Sequence, residues 1–273
     1  MGPLPVTGTS TRPRALSIAG SDSGGGAGIQ ADLKTFSALG VYGMTAVTAV
    51  TVQNTQGVSG VHALPPAIVA QQIRAVASDI GVDAAKTGML ANAAIVEAVA
   101  QALVDEGVTN LVVDPVFVSK HGNPLLVEDA VEALATTILP LATIVTPNLH
   151  EAGGLAGIDV TTREGMRKAA DAILDRGASA VLVKGGHLDE PEAADLFLDA
   201  AGERWLSAPR IEARNTHGTG CTLSSAIAAH LAKGKSLAEA VEAAKAFVTE
   251  AIRHALAIGH GIGPVDQLWP IDG

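Results

Sequence analysis

The chain of 273 residues carries 18 basic and 28 acidic side chains, a net charge of −10 at pH 7. This balance argues against a protein that binds nucleic acids through their phosphate backbone, because such proteins usually carry a basic patch. Hydrophobic residues make up 48% of the chain and charged residues 17%, which excludes disorder as its dominant state. Aromatic residues make up only 3%, so the core must be built from Ala, Val, Leu and Ile.

Cysteine usage and the distribution of charge bound the setting of the protein. Cys221 is the single cysteine, which excludes an internal disulfide and a cysteine-based zinc cluster and favours a reducing, cytoplasmic location. Residues 35–73 contain no Asp, Glu, Lys or Arg, but prolines, glycines and amides interrupt this stretch, so we expect no membrane span. Residues 1–13 hold three prolines and no apolar run behind a basic start. We therefore predict a flexible tail over 1–13, no secretory signal and a single domain over 14–273.

Short β-branched runs alternate with longer helical patterns along this domain. Strands are predicted at 15–19, 44–52, 83–86, 110–114, 143–146 and 180–184. Apolar residues three and four apart predict helices at 67–78, 93–104, 128–138 and 163–174. Near the end, a hairpin is predicted from 195–198 and 204–206, followed by helices at 220–232 and 237–257. Several strand runs are apolar throughout, which is typical of a parallel sheet covered by helices on both faces.

Polar and glycine-rich residues follow nearly every predicted strand. They stand at 20–22, 53–55, 86–89, 114–115, 147–148 and 184–187. Ligands of such sheets bind at the carboxyl ends of the strands. We therefore expect the chemistry of the protein at this rim.

Two familiar nucleotide-binding patterns match only in part. The glycine run at 24–28 follows the first strand, but no acidic residue ends the second strand, which is followed by Gln53; this disfavours a nicotinamide site. Residues 234–236 resemble the end of a phosphate-binding loop, but the partner glycine is replaced by Ala229 and a helix precedes it. The second segment is better explained as the end of one helix and the start of the next.

The strongest chemical signal is the segment 215–222, which leads directly into a helical pattern. The N–H groups of Gly218, Thr219 and Gly220 at the start of a helix would point at one place and form an anion hole. Cys221 would lie in the first turn, where a thiol pKa tends to fall, and could act as base or nucleophile. The alternative is a tight turn in which Cys221 is a small buried residue.

Seven ordered blocks of the chain resemble the hydroxymethylpyrimidine/phosphomethylpyrimidine kinases of thiamine biosynthesis, in the ribokinase-like superfamily. The blocks are residues 20–34, 52–55, 86–90, 113–116, 146–151, 183–187 and 217–221, the last of them His-Gly-Thr-Gly-Cys. The resemblance extends from about residue 15 to residue 264. It implies an α/β three-layer sandwich with a mainly parallel sheet, a homodimer, ATP as co-substrate and Mg²⁺. The implied reaction is phosphorylation of 4-amino-5-hydroxymethyl-2-methylpyrimidine and then of its monophosphate to the diphosphate.

The same resemblance assigns roles to individual residues. It implies a catalytic turn, a pyrimidine pocket, a nucleotide site and a metal site. They consist, in that order, of Gly218, Thr219, Gly220 and Cys221; of Gln53, Gly20, Asp32, Met89 and Val116; of Lys184 and Asn148; and of Asp114 and Glu151. In the wider superfamily an aspartate usually stands where this chain has Cys221, which leaves open whether the thiol is a base or a positioning group.

Elementary chemistry supports several of these roles and offers an alternative for each. The Gln53 amide both donates and accepts hydrogen bonds, as a neutral pyrimidine requires. The carboxylates of Asp114 and Glu151 suit Mg²⁺, although they could instead cap a loop or helix. Lys184 would meet the phosphates of the nucleotide or be an ordinary lysine at a strand end. Met89 would line the pocket or belong to the core.

Two other functions are compatible with the same blocks. Relatives with a similar Gly-Thr-Gly-Cys turn phosphorylate vitamin B6 alcohols, so a pyridoxal kinase is the first alternative. Residues 53–55 match the pyrimidine branch more closely. A pyrimidine sensor that has lost phosphoryl transfer is the second, but such a protein should have lost Cys221 or the carboxylates, and this chain keeps them.

Overall fold

A mostly parallel nine-stranded sheet forms the middle layer of the computed structural model, which describes residues 12–117, 128–188, 190 and 192–271. The strands are β1 (Arg14–Ser21), β2 (Tyr42–Asn54), β3 (Gly57–Ala63), β4 (Ala84–Thr87), β5 (Leu111–Val113), β6 (Ile144–Val145), β7 (Ala180–Val183), β8 (Glu192–Asp199) and β9 (Gly202–Pro209). Their order in the sheet is β3-β2-β1-β4-β5-β6-β7-β8-β9. The neighbouring strands β2, β1, β4, β5, β6 and β7 run parallel, and the antiparallel strands lie at the two edges.

Helices cover the sheet on both faces. They are α1 (Gly28–Ala38), α2 (Pro66–Asp79), α3 (Ala93–Asp105), α4 (Glu128–Ala133), α5 (Leu149–Ala156), α6 (Arg163–Leu174), α7 (Thr219–Ala232) and α8 (Leu237–Arg253). None of the helices in the described part of the chain is long and apolar enough to cross a membrane.

Side-chain alternation along the central strands creates two cores. In β5, Leu111 and Val113 pack with α2 to α6, whereas Val112 between them packs with α1, α7 and α8. Successive residues of a strand point to opposite faces of the sheet, so a fully apolar strand has a core on each side. The predicted three-layer α/β sandwich is confirmed.

The predicted elements differ from the observed ones mainly at their ends. The helix predicted over 128–138 is an α-helix only to Ala133 and continues as a π-helical turn, Leu134–Ile138, and a 3₁₀ turn, Leu139–Leu141, that contains Pro140. The helix predicted over 237–257 ends at Arg253. Among the elements that the periodicity did not predict, β3 is interrupted by glycines and α5 has only eight residues, two of them glycines.

The predicted tail lies almost entirely outside the described residues, since these begin at residue 12. The backbone of residue 13 is already held, because the Pro13 carbonyl accepts a hydrogen bond of 2.8 Å from the Tyr42 N–H. Strand β1 starts directly after it, at Arg14. The division into a tail and one domain stays a prediction.

Candidate active site

A cavity of about 630 Å³ opens at the rim where the parallel strands end. Each of the sequence-predicted site residues lines it except Asp32: Gly20, Gln53, Met89, Asp114, Val116, Asn148, Glu151, Lys184, Gly218, Thr219, Gly220 and Cys221. They come from β1, β2, α7 and the segments after β4 to β7. The parallel topology therefore brings together residues up to 201 positions apart in the sequence, from Gly20 to Cys221.

Two helices begin at the same place beside this cavity. Gly218 caps α7 with φ +81°, and a Cβ there would lie 1.9 Å from the Gly26 carbonyl oxygen, so only glycine fits. Helix α1 starts at Gly28, whose N–H is directed at the Cys221 thiol. The first N–H groups of a helix have no acceptor within the helix, and the helix dipole adds positive potential. The two N-termini together direct N–H groups and positive potential at one place, which is the candidate for the anion hole that the sequence predicts at the start of α7.

The pKa expected for Cys221 from the sequence is wrong in direction. Burial raises the pKa of the thiol to about 11, and the carboxylates of Asp32 and Asp114 act in the same direction. The Lys86 ammonium and the Gly28 N–H oppose this rise without cancelling it. Cys221 does lie in the first turn of α7, but at neutral pH it carries its proton.

One ammonium and two carboxylates meet on the far side of the anion hole. Lys184 Nζ lies 3.0 Å from Asp114 Oδ1 and 3.8 Å from Glu151 Oε2. A Cβ at Gly220 would lie 3.2 Å from Lys184 Nζ, so the ammonium sits against the start of α7. Burial lowers the pKa of Lys184, but the two carboxylates raise it by more than burial lowers it. The pKa therefore lies above its usual value, and the ammonium is charged. Lys184 is therefore a built-in cation of the cavity and not a free surface lysine.

Glu151 has the capping role that the sequence offers as the alternative to metal binding. Its Oε2 accepts a hydrogen bond of 2.7 Å from the Asn148 N–H, while Asn148 Oδ1 accepts one of 2.9 Å from the Glu151 N–H, which forms a capping box on α5. Burial raises the pKa of Glu151 to about 7, Asp114 adds to the rise, and Lys184 opposes it. The helix cap thus fixes the carboxyl group at the rim of the cavity.

Asp32, which the resemblance places in the pyrimidine pocket, does not line the cavity. It is fully buried and accepts hydrogen bonds from Ser17 Oγ at 2.5 Å, Ser225 Oγ at 2.7 Å and Lys86 Nζ at 3.0 and 3.1 Å. Lys86 is fully buried as well, yet it is the member of this pair that reaches the cavity wall. Asp32 lies behind this wall because α1 presents it to the sheet and not to the rim.

The end of the cavity beside Gly20 is narrow. A Cβ at Gly20 would lie 3.2 Å from Met89 Sδ, so glycine lets the thioether approach the end of β1. Met89 is 8% exposed and lines the cavity while also packing as a core residue. Two further residues line the cavity that sequence reasoning missed, Asp22 and His217, whose side chains are 2.9 Å apart.

The other end of the cavity is apolar and braced by charged groups. Ile211, Val248 and Ile252 line it. Asp195 and Lys245 line the cavity as well, and Asp195 accepts a hydrogen bond of 2.9 Å from the Gly185 N–H and one of 2.7 Å from Lys245 Nζ. The Arg210 guanidinium donates to the carbonyl groups of residues 186, 188 and 190. These groups fix the segment that follows Lys184.

Some of the missed residues carried a signal in the sequence. Asp22 precedes a run of glycines, as expected for a side chain that accepts hydrogen bonds from the following N–H groups, and Lys86 interrupts a short apolar strand. His217 belongs to the block 217–221, in which the pattern of a glycine turn at a helix start points to residues 218–221 and gives no role to the histidine. Asp195 and Lys245 lie 50 residues apart and no local pattern connects them.

Comparison with known proteins places the chain among vitamin kinases. The model of the family described as phosphomethylpyrimidine kinase matches residues 22–266. The hydroxymethylpyrimidine/phosphomethylpyrimidine kinase of Streptomyces coelicolor is 53% identical over 261 residues, which is 96% of this chain and 96% of that protein.

Solved structures of similar fold point the same way. The pyridoxal kinase of Bacillus subtilis in its ADP complex superposes with a TM-score of 0.88 at 41% identity, over 94% of this chain and 98% of that chain. The phosphomethylpyrimidine kinase of Clostridium difficile superposes with a TM-score of 0.79 at 44% identity, over 88% of this chain and all of that chain. The fold is ribokinase-like, and the chain belongs to the phosphomethylpyrimidine kinase family.

Proposed function

We propose that the protein transfers a phosphoryl group from ATP to 4-amino-5-hydroxymethyl-2-methylpyrimidine and a second one to the resulting monophosphate, for thiamine biosynthesis. The observation that carries this proposal is a single cavity with an amide at one end, a partly buried cation at the other and two helix N-termini between them. Gly28 lies between the end of β1 and the start of α7. A Cβ at Gly28 would lie 2.3 Å from the Gly20 carbonyl oxygen, and the Gly28 N–H faces Cys221. Relatives named as kinases of this pyrimidine support the assignment.

Different groups of the cavity bind the acceptor, bind the nucleotide and stabilise the transition state of phosphoryl transfer. Gln53, Met89 and Val116 hold the ring of the acceptor, and Lys184 binds the phosphates of the nucleotide together with the segment around Asn148. The N–H groups at the starts of α1 and α7 stabilise the charge that develops on the transferred group. Because this transition state is often loose, positioning and charge stabilisation supply most of the rate.

Cys221 is proposed to take the proton of the hydroxymethyl group. In the free site its pKa of about 11 makes the thiolate scarce but strongly basic once formed. The Lys86 ammonium and the Gly28 N–H stabilise the thiolate. The thiol must therefore first lose its own proton to solvent, and the thiolate then takes the proton of the hydroxymethyl group late in the transfer, when that hydroxyl group has become more acidic.

Asp114 and Glu151 are proposed to hold Mg²⁺. In the described residues no group of three or more His, Cys, Asp or Glu could form a metal cage, but Mg²⁺ of kinases is usually held by one or two carboxylates with waters and substrate phosphates, and this donor set fits. When bound, the ion neutralises charge on the phosphates of the nucleotide. Asp114→Ala and Glu151→Ala should each raise the Mg²⁺ concentration needed for half-maximal turnover; parental titrations in both variants would remove them from the site.

Pyridoxal kinase is the second candidate activity. The observation in its favour is the TM-score of 0.88 to the pyridoxal kinase of Bacillus subtilis, above that of 0.79 to the phosphomethylpyrimidine kinase of Clostridium difficile. A sensor that has lost catalysis is disfavoured because Cys221, Asp114, Glu151 and Lys184 all face one cavity.

A competition assay separates these functions. The purified protein is given ATP, Mg²⁺ and equal concentrations of the hydroxymethylpyrimidine and pyridoxal, and both phosphorylated products are quantified by mass spectrometry. The proposal predicts that kcat/KM for the pyrimidine exceeds that for pyridoxal by at least about tenfold, about 1.4 kcal/mol of transition-state preference. A preference for pyridoxal would replace the proposed function by the second candidate, and no turnover of either alcohol would favour a sensor.

We also propose that the protein forms a homodimer through the projecting end of β2. Val50 and Val52 are 48% and 63% exposed on the same face of this strand, beyond the helices that cover the rest of it. Light scattering after gel filtration should give twice the chain mass, and Val50→Glu with Val52→Glu should give the monomer. A monomeric parent protein would contradict the proposal. The cytoplasmic location stays a prediction from the single cysteine.

A further inference from the structure

The His217 ring is shared between two residues of the cavity wall. Its Nε2 lies 2.9 Å from Asp22 Oδ2 and 3.2 Å from Gln53 Nε2. The residue is held at both its backbone and its ring. The backbone N–H of His217 donates to the Gly263 carbonyl at 3.0 Å, and the ring packs so closely on Gly26 that a Cβ there would lie 2.5 Å from His217 Cδ2. His217 is only 7% exposed, so water offers it few other partners.

Asp22 determines that the Nε2 atom of His217 carries a hydrogen. Its carboxyl oxygens accept N–H groups of Gly24 at 2.8 Å, Gly26 at 3.1 Å and Ala27 at 2.8 Å. Burial raises the pKa of Asp22, but His217 and the N–H groups of Gly24 and Ala27 lower it by more, so the pKa lies below its usual value and the group is an ionised carboxylate. An ionised carboxylate only accepts hydrogen bonds. His217 Nε2 must therefore carry a hydrogen, whether the ring is neutral or charged.

This hydrogen conflicts with an amide nitrogen at the same place. Gln53 Nε2 carries hydrogens too, so two donors would face each other across 3.2 Å. A conflict of the opposite kind exists at the other end of the amide. The Thr51 hydroxyl group donates its hydrogen to the Ser21 carbonyl at 2.8 Å, and its oxygen then faces Gln53 Oε1 at 3.2 Å without a hydrogen between them. A half-turn of the amide removes both conflicts, and such amides are assigned by their partners.

We propose that His217 is a positioning residue whose single Nε2 hydrogen, shared between Asp22 and Gln53 in a three-centre hydrogen bond, fixes the Gln53 amide with its oxygen toward His217 and its nitrogen toward Thr51. The amide then presents one acceptor and one donor to the cavity in a fixed order. An aminopyrimidine edge carries a donor, the amino group, beside an acceptor, the ring nitrogen. Only one edge-to-edge pairing with the amide therefore satisfies both hydrogen bonds. His217 thus decides which way round the acceptor binds and on which side its hydroxymethyl group lies. This inference rests on the proposed function, specifically on Gln53 as the acceptor-binding residue.

The test uses an analogue in which the hydrogen-bonding order is reversed. The 4-oxo analogue of the pyrimidine carries an acceptor, the oxo group, beside a ring N–H donor, and the parent enzyme should discriminate against it. His217→Leu removes the hydrogen that orients Gln53 and frees the amide to turn. We expect the ratio of kcat/KM between the amino and oxo substrates to fall at least about fivefold, with KM for ATP within about twofold of the parent.

Two controls separate orientation from a merely structural role. His217→Gln keeps an N–H near the same position and should retain most of the discrimination. In a Gln53→Leu background the step to His217→Leu should change the ratio less than about twofold, because the effect acts through Gln53. If His217→Leu does not fold, Thr51→Val removes the hydroxyl group at the opposite end of the amide and should lower the ratio in the same way.

The outcomes distinguish the inference from the proposed function. Parental pyrimidine kinetics in Gln53→Leu would remove Gln53 from the acceptor site and overturn both. If Gln53→Leu weakens pyrimidine binding while His217→Leu and Thr51→Val keep the parental ratio, the inference alone is wrong. An equal cost of His217→Leu in both backgrounds would likewise assign the histidine to the turn and overturn its orienting role.

Discussion

At Cys221 opposing effects act on the same sulfur atom. Helix N-termini, Lys86 and the Gly28 N–H favour the thiolate, whereas burial and the carboxylates of Asp32 and Asp114 favour the thiol. The sequence predicts the position of the cysteine in the first turn of α7, because a glycine turn followed by an apolar periodic run is a local pattern. It cannot predict the sign of the pKa shift, since the carboxylates come from residues 189 and 107 positions away.

The thiol should be alkylated slowly at neutral pH. A pKa of about 11 in place of about 9 leaves a thiolate fraction at pH 8 that is about a hundredfold lower than that of an ordinary thiol. The rate with iodoacetamide should therefore keep rising above pH 9, with glutathione as the control for reagent reactivity, and should fall when the pyrimidine is bound. A rate that reaches its plateau below pH 9 would contradict the raised pKa.

The proposed role of Cys221 in proton transfer predicts a large effect on turnover. Loss of general-base help costs about 10²-fold to 10⁴-fold, so Cys221→Ser should lower kcat by at least about a hundredfold, and Cys221→Asp should retain more activity than Cys221→Ser. Stopped-flow or quench measurement of a single turnover isolates this step. Near-parental turnover of Cys221→Ser would make the cysteine a packing residue and leave the rate to the surrounding N–H groups.

Among secondary-structure elements, β4, α1 and α7 are connected by one buried ion pair. Lys86 of β4 and Asp32 of α1 are both fully buried, and Ser225 of α7 completes the hydrogen bonds of the carboxylate. Burial lowers the pKa of Lys86, but Asp32, Cys221 and Asp114 together raise it above its usual value. The ammonium is therefore charged inside the protein, at the wall of the cavity.

Breaking this pair should be costly for stability. Lys86→Met leaves the Asp32 carboxylate buried without a counter-ion, and we expect the free energy of unfolding to fall by about 3–5 kcal/mol. Chemical denaturation measures this, and the double variant Lys86→Met with Asp32→Leu should recover part of the loss because no charge then stays buried. A loss of unfolding free energy below about 1 kcal/mol in Lys86→Met would contradict this prediction, because it would show that the Asp32 carboxylate does not depend on Lys86 as its counter-ion.

Element by element, the sequence predicts what is locally periodic. The central strands and helices α2, α3, α6 and α7 follow from apolar spacing, and the caps of α5 and α8 are capping boxes with Glu three residues after the cap. Strand β3 is not predicted from the sequence because Gly57 and Gly60 weaken its alternating pattern. It forms by pairing with β2. The π-helical turn after α4 has no local signal at all.

For the whole molecule, parallel topology explains why so much of the site could be predicted. Residues placed after successive parallel strands must meet at one rim, so the order of strands and polar segments along the chain is enough to expect Gln53, Asp114, Asn148 and Lys184 in one cavity. Asp32 was misplaced because a helix residue faces either the rim or the sheet, and the sequence alone does not say which. Side-chain networks across the cavity, such as Asp22 with its histidine partner, depend on distances that only the folded chain defines.

The most direct test of the account counts phosphoryl groups per acceptor. A limiting amount of 4-amino-5-hydroxymethyl-2-methylpyrimidine is incubated with the protein, excess ATP and Mg²⁺ until ADP release stops, and the ADP and pyrimidine products are measured together. The proposed function predicts two ADP per pyrimidine and complete conversion to the pyrimidine diphosphate, with no ADP released in the absence of the pyrimidine. Termination at one ADP would contradict the second transfer, and ADP release that does not depend on the pyrimidine would contradict the function itself.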